Sequence, residues 1–133
     1  MGAFLESYNL SVAALGYVSG LMLIQLVISD VIGISRKHTP GAPVHPDHAD
    51  TLFRASRTVG NTNESIAIFI CALLFCILSA APPGYTAAAA WAFAICRTLY
   101  ALFYYANLQT LRSVIFGVSL LAIVALIIIG GFT

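Results

Sequence analysis

Residues 54–64 read RASRTVGNTNE and residues 65–81 read SIAIFICALLFCILSAA. The first piece places two arginines, two asparagines and a carboxylate directly ahead of the second, which carries no charge at all. On a helix, Arg54, Arg57, Asn61 and Glu64 follow at spacings of three, four and three, so their side chains share one stripe. Charged groups on a helix entering hydrocarbon are costly, and they persist where they face a bundle interior, pair or bind something. The stretch therefore predicts a membrane span whose first turns carry a buried polar site.

Composition agrees. Of 133 residues, 60% are hydrophobic and 8% charged, and the mean hydropathy is +0.95; a soluble domain carries about 25% charged residues. This composition predicts an integral membrane protein of one domain. A formal net charge of +1 leaves out the clustered basic face that nucleic-acid binding requires.

A membrane-crossing helix needs roughly 20 mostly apolar residues. The first candidate runs from about residue 8 to 34 and has no charge until Asp30. It reads as a retained span and not a signal peptide, because Glu6 and no basic segment precedes it and its apolar part is long. Gly16, Ser19 and Gly20 suit close approach of another helix, or are incidental. Residues 35–50, SRKHTPGAPVHPDHAD, hold Pro40, Pro43 and Pro46 and cannot continue a helix. His38, His45 and His48 beside Asp47 and Asp50 invite a metal, but their spacing fits no familiar ligand motif, and the expectation is none.

The second span is expected over 48–81, capped by Asp47 or Asp50 and ended by Pro82, Pro83 and Gly84. A third is expected over 85–107 and a fourth over 110–132. The result is an all-α, up-down-up-down bundle of four transmembrane helices. Arg36, Lys37, Arg54, Arg57 and Arg112 fall near one side, so the positive-inside rule puts loop 37–50 in the cytoplasm and both termini outside. Cys71, Cys76 and Cys96 sit in apolar stretches without CxxC spacing and read as packing residues.

The third span repeats the pattern of the second. Arg97, Tyr100 and Tyr104 stand at i, i+3 and i+7, and Arg112 and Ser113 open the fourth. Tyrosines alone suit an interfacial belt; several arginines and one carboxylate at the same depth suit an anionic, hydrogen-bonding ligand.

The pattern R-x-x-R-x-x-x-N-x-x-E at Arg54, Arg57, Asn61 and Glu64, then R-x-x-Y-x-x-x-Y at Arg97, Tyr100 and Tyr104, then Arg112, resembles the MAPEG superfamily. These are the membrane-associated proteins in eicosanoid and glutathione metabolism. The resemblance implies a homotrimer that binds glutathione between subunits as co-substrate and takes a lipophilic partner substrate from the membrane lipid. It implies that Arg57, Asn61 and Glu64 hold the amine and carboxylates of glutathione, with Arg54 and Arg97 in the same site. Tyr100 and Tyr104 would bond its backbone, and Arg36 or Lys37 would contribute from the end of the first span. It makes Arg112 the group that stabilises the thiolate, with Ser113 beside it. Two departures from the family pattern bear on substrate identity: Thr58 stands where relatives usually have alanine, and Phe116 where the prostaglandin E synthase of the superfamily has tyrosine. Two other classes fit the residues: a lipid-presenting binder on the same fold, and a proton-coupled exporter using Glu64 or Asp30. The number of arginines beside one carboxylate disfavours the cationic cargo such an exporter would carry.

Overall fold

The computed structural model describes residues 2–133, and among these the chain is all-helical. Its elements are α1 (Gly2–Ser7), α2 (Asn9–Ser35), α3 (Thr51–Leu78), α4 (Pro83–Tyr105) and α5 (Gln109–Gly131). The last four are each long and apolar enough to cross a membrane, as an integral multi-pass protein requires. The short α1 was not anticipated. Tyr8 separates it from α2, is buried, and donates its hydroxyl proton to the Ala81 carbonyl, tying the start of α2 to the end of α3.

Of the two aspartates expected to cap α3, Asp50 does so, its Oδ1 accepting from the Leu52 N–H at 3.0 Å. Asp47 instead turns the loop by accepting from the Ala49 N–H at 2.8 Å. At its other end α3 stops at Leu78, before the prolines expected to end it. The stop is made by backbone geometry. Ala80 takes a left-handed φ of +54°, its N–H bonds the Ile77 carbonyl at 3.1 Å, and the Ala81 N–H bonds the Cys76 carbonyl at 2.9 Å. These are the two crossed bonds of a Schellman motif. Pro83 then opens α4, where its missing N–H costs nothing.

The same device ends α2 at Lys37 (φ +53°) and α4 at Asn107 (φ +59°). His38 N–H bonds the Gly33 carbonyl, and Leu108 N–H bonds the Phe103 carbonyl. None of the three left-handed positions is glycine. A Cβ there costs roughly 1–2 kcal/mol, partly offset by the greater unfolded freedom of glycine, roughly 0.5–1 kcal/mol. Ala80→Gly is accordingly expected to stabilise the protein by about 0.5–1 kcal/mol, read as a shift of the detergent-denaturation midpoint with no change in helicity.

Packing centres on α4. Ala87, Ala89, Ala90, Ala94 and Ala101 are buried along it, so neighbouring helices approach closely. Phe93 stacks on Phe69 of α3 with ring centroids 4.2 Å apart and planes 12° from parallel. Gly130 of α5 is needed where it is, because a Cβ there would lie 2.7 Å from the Phe75 ring. Two polar contacts join α2 to α4: Trp91 Nε1 donates to the Leu10 carbonyl at 3.0 Å, and the Tyr17 and Thr98 hydroxyls are 2.9 Å apart. α4 thereby fixes where Arg97, Tyr100 and Tyr104 lie relative to α3.

Candidate functional site

The polar residues of α3, α4 and α5 form one chain of contacts. Arg57 Nη2 lies 3.6 Å from Glu64 Oε1. Glu64 Oε2 accepts from Asn61 Nδ2 at 3.5 Å, and Asn61 Oδ1 accepts from Arg97 Nη2 at 2.9 Å. The Arg97 guanidinium carbon sits 4.4 Å from the centre of the Tyr100 ring. Tyr100 meets Tyr104 edge-on, and the Arg112 guanidinium covers Tyr104 at 4.1 Å. Seven of the residues singled out by sequence are thus continuous in space, from Arg57 to Arg112.

Burial divides them. Arg97 is 0% exposed, whereas the side chains of Arg57 and Glu64 are 44% and 61% exposed. The burial expected for the whole first stripe falls instead on the adjoining face of α3, at Thr58, Thr62 and Ser65. Their hydroxyls donate back to helix carbonyls, Thr58 to Arg54 and Thr62 to Thr58, so they enter the interior already satisfied. Thr62 Oγ1 also accepts from Arg97 Nη2 at 2.9 Å. The buried cation is therefore held by two α3 side chains and a ring face, while its Nε and Nη1 have no hydrogen-bond partner among the described residues. Sequence reading missed Thr62. Its signal was the hydroxyl series Thr58, Thr62 and Ser65 beside the charged stripe.

The remaining candidates lie apart from this chain or serve the loop. Arg54 Nη1 donates to the carbonyls of His48 at 2.7 Å and Ala49 at 2.9 Å, so it braces the loop against α3. That brace seats the His48 ring between Phe53, at 5.1 Å, and Tyr104, at 6.0 Å, a neighbour of the site that sequence did not identify. Arg36 is exposed at the end of α2 and is not brought to the network. Ser113 is exposed too, and its hydroxyl donates to the Gln109 carbonyl at 2.9 Å. Phe116 packs against Tyr100 at 6.0 Å and lies 5.8 Å from the Arg97 guanidinium. Among the described residues, no three His, Cys, Asp or Glu side chains gather as metal ligands.

Chemically, the site offers fixed cations at Arg57 and Arg112, a carboxylate at Glu64, an amide at Asn61 and two phenols. The Arg57–Glu64 pair lies on the open face of the single chain, and a ligand bearing both an ammonium and a carboxylate can replace it group for group.

Neither the curated proteins nor the solved structures give a match. The sequence model described as the MAPEG family, however, matches residues 11–132, which takes in α2 from its third residue, all of α3 to α5 and every residue of the contact chain, and the protein belongs to that family.

Proposed function

We propose that this protein is a membrane-embedded, glutathione-dependent transferase that ionises the glutathione thiol for attack on a lipophilic electrophile arriving from the bilayer. The observation that carries this reading is the continuous run from Arg57 through Arg97 to Arg112, which offers cations at two ends of a polar strip and a carboxylate near one of them. Glutathione has one ammonium, two carboxylates, two amides and a thiol. Glu64 suits the ammonium, Arg57 a carboxylate, Asn61 and the tyrosines the amides, and Arg112 the sulfur. Arg97 is the internal support of Asn61 and Tyr100, and Arg54 holds the loop at the mouth of the site.

The same reading makes the working unit a homotrimer. α3 has 28 residues, about 42 Å against the roughly 30 Å of hydrocarbon, and Glu64 lies about 20 Å from its start. With the surplus length on the loop side, Glu64 sits several ångströms inside the hydrocarbon, yet it is 61% exposed in a single chain. A neighbouring copy that covers it removes that cost and supplies the second wall of the site, where Arg36 of that copy can enter. Tyr8 against Ala81, and Gly33 beside Leu52, join opposite ends of α2 and α3, in keeping with an up-down-up-down course. The basic loop then faces the cytoplasm and both termini face outward.

Calorimetry with glutathione tests the reading directly, and Glu64→Gln sharpens it. The substitution keeps the shape and removes the charge that meets the ammonium. Affinity is expected to fall by about 1.5–3 kcal/mol, the range for a hydrogen bond to a charged group. If Glu64 only balances Arg57, the variant binds glutathione normally and the assignment fails. No heat of binding to the unmodified protein removes the whole reading.

A further inference from the structure

Asp30 is the one carboxylate in α2, and the contacts described above leave it unused. Among the described residues the only ion pair is Arg57 with Glu64, so Asp30 has no cation of its own. It borders a cavity of about 400 Å³ between the end of α2, the loop and the start of α3, whose wall also includes Ser29, Ser56 and His38. Both serines keep hydroxyls that can meet a ligand. Thr58, Thr62, Thr98 and Ser113 each donate to a carbonyl one turn back, whereas the Ser29 and Ser56 hydroxyls make no hydrogen bond within the described residues and are not sealed from the cavity. His38 Nε2 lies 3.0 Å from the Ala42 carbonyl. That oxygen can only accept, so the neutral ring carries its proton on Nε2 and leaves Nδ1 as an acceptor. The wall thus offers a carboxylate, two hydroxyl oxygens and an imidazole nitrogen, with no cation of its own to meet them.

We propose that this cavity binds the primary ammonium of an ethanolamine phospholipid. Depth points to a lipid. α2 has 27 residues, about 40 Å, so about 10 Å extends beyond the hydrocarbon, and Asp30 is about 8 Å from the helix end, within the headgroup layer. Towards the bilayer centre from the cavity the surface of α2 is apolar and open to lipid, with Leu23, Leu26 and Val27 exposed for an acyl chain to follow. Lys37, exposed just beyond the helix end and held by its left-handed backbone, meets the phosphate. A primary ammonium brings three N–H donors to four acceptors. A choline headgroup brings the charge but no donor, and a glycerol headgroup brings no cation. Selectivity for ethanolamine over choline and glycerol lipids follows from that difference. The inference does not depend on the glutathione reading.

Native mass spectrometry of the detergent-purified protein, in whatever assembly it forms, tests it with phosphatidylethanolamine, phosphatidylcholine and phosphatidylglycerol of identical acyl chains in equal amounts. Phosphatidylethanolamine is expected to be retained about tenfold over the others, the lower end of what a hydrogen bond to a charged group supplies. Asp30→Asn should abolish the preference, and the Ser29→Ala, Ser56→Ala double variant should reduce it with the carboxylate intact. Equal retention of the three lipids, or a preference unchanged in Asp30→Asn, overturns the proposal. So does Asp30→Asn changing the assembly mass without changing lipid preference, which would make Asp30 a contact between copies. Displacement of the lipid by soluble O-phosphoethanolamine would assign the cavity to a water-soluble amine and overturn the lipid source.

Discussion

Arg112→Ala is expected to leave glutathione bound but to abolish the ultraviolet band of its thiolate at neutral pH. A free thiol has a pKa of about 8.5, and only the thiolate attacks. Lowering the pKa of the bound thiol by about two units takes roughly 2.7 kcal/mol of preferential stabilisation of the anion. A guanidinium that stays charged and is partly withdrawn from water can supply this, and Arg112 is half-buried over the Tyr104 ring. Its loss should cut the ionised fraction at pH 7 by roughly twenty- to thirtyfold. Because the substitution raises the thiol pKa, conjugation of a model electrophile should recover as pH rises towards 8.5, while the unsubstituted protein stays nearly flat over that range. Arg112→Lys should restore part of the effect, since the charge remains without the planar fork. Ser113→Ala should change little, because that hydroxyl is engaged with the Gln109 carbonyl. An unchanged thiol pKa in saturated Arg112→Ala would remove Arg112 from the chemistry. Glutathione bound by the unmodified protein with no thiolate band at all would favour a binding protein without catalysis.

The second large effect belongs to Arg97. Breaking the support of a buried charge costs more than removing the charge, because the remaining ion keeps its desolvation without compensation. Thr62→Val keeps the shape and deletes one of the two acceptors that hold Arg97 Nη2. It is expected to destabilise the protein by about 1.5–3 kcal/mol, the range for hydrogen bonds to charged groups. Arg97→Met, which removes the cation and leaves an apolar chain of similar length, should cost less stability while freeing Asn61 and weakening glutathione binding. In the double variant the Thr62→Val penalty should largely vanish, because no ion is left to satisfy. Denaturation midpoints of the four proteins in one detergent give this cycle. Equal penalties with and without Arg97 would mean that Thr62 acts through packing alone.

The spans and both polar stripes were legible because composition and helical periodicity report them directly. Which face of α3 turns inward was not. The stripe of Arg54, Arg57, Asn61 and Glu64 and the hydroxyls of Thr58, Thr62 and Ser65 are centred roughly a quarter turn apart at about 100° per residue. Both are polar, and periodicity alone does not rank them. The hydroxyls go inside because each is satisfied by its own helix; an arginine can follow only where a neighbouring helix supplies acceptors, as α3 does for Arg97. The end of α3 was misplaced for a related reason. The prolines at 82 and 83 are visible in sequence, but the stop is made at Ala80, a residue with no preference for the left-handed conformation it adopts. The loop role of Arg54 depends on where the carbonyls of His48 and Ala49 fall, which only the folded loop decides.

The stacked rings of Phe69 and Phe93 have an electrical consequence. With Ala90, Leu73 and Leu126 packed in the same fully buried core, they fill the middle of each bundle with apolar side chains at close-packed density. Apart from Glu6, the charged side chains lie towards the end of the bundle that carries the loop, so among the described residues none crosses this apolar layer. An ion entering there would shed its water with nothing to replace it, a cost of many kcal/mol. Each bundle is in effect a plug of low permittivity. The middle of the four helices therefore offers an ion no foothold between Phe69 and Leu126.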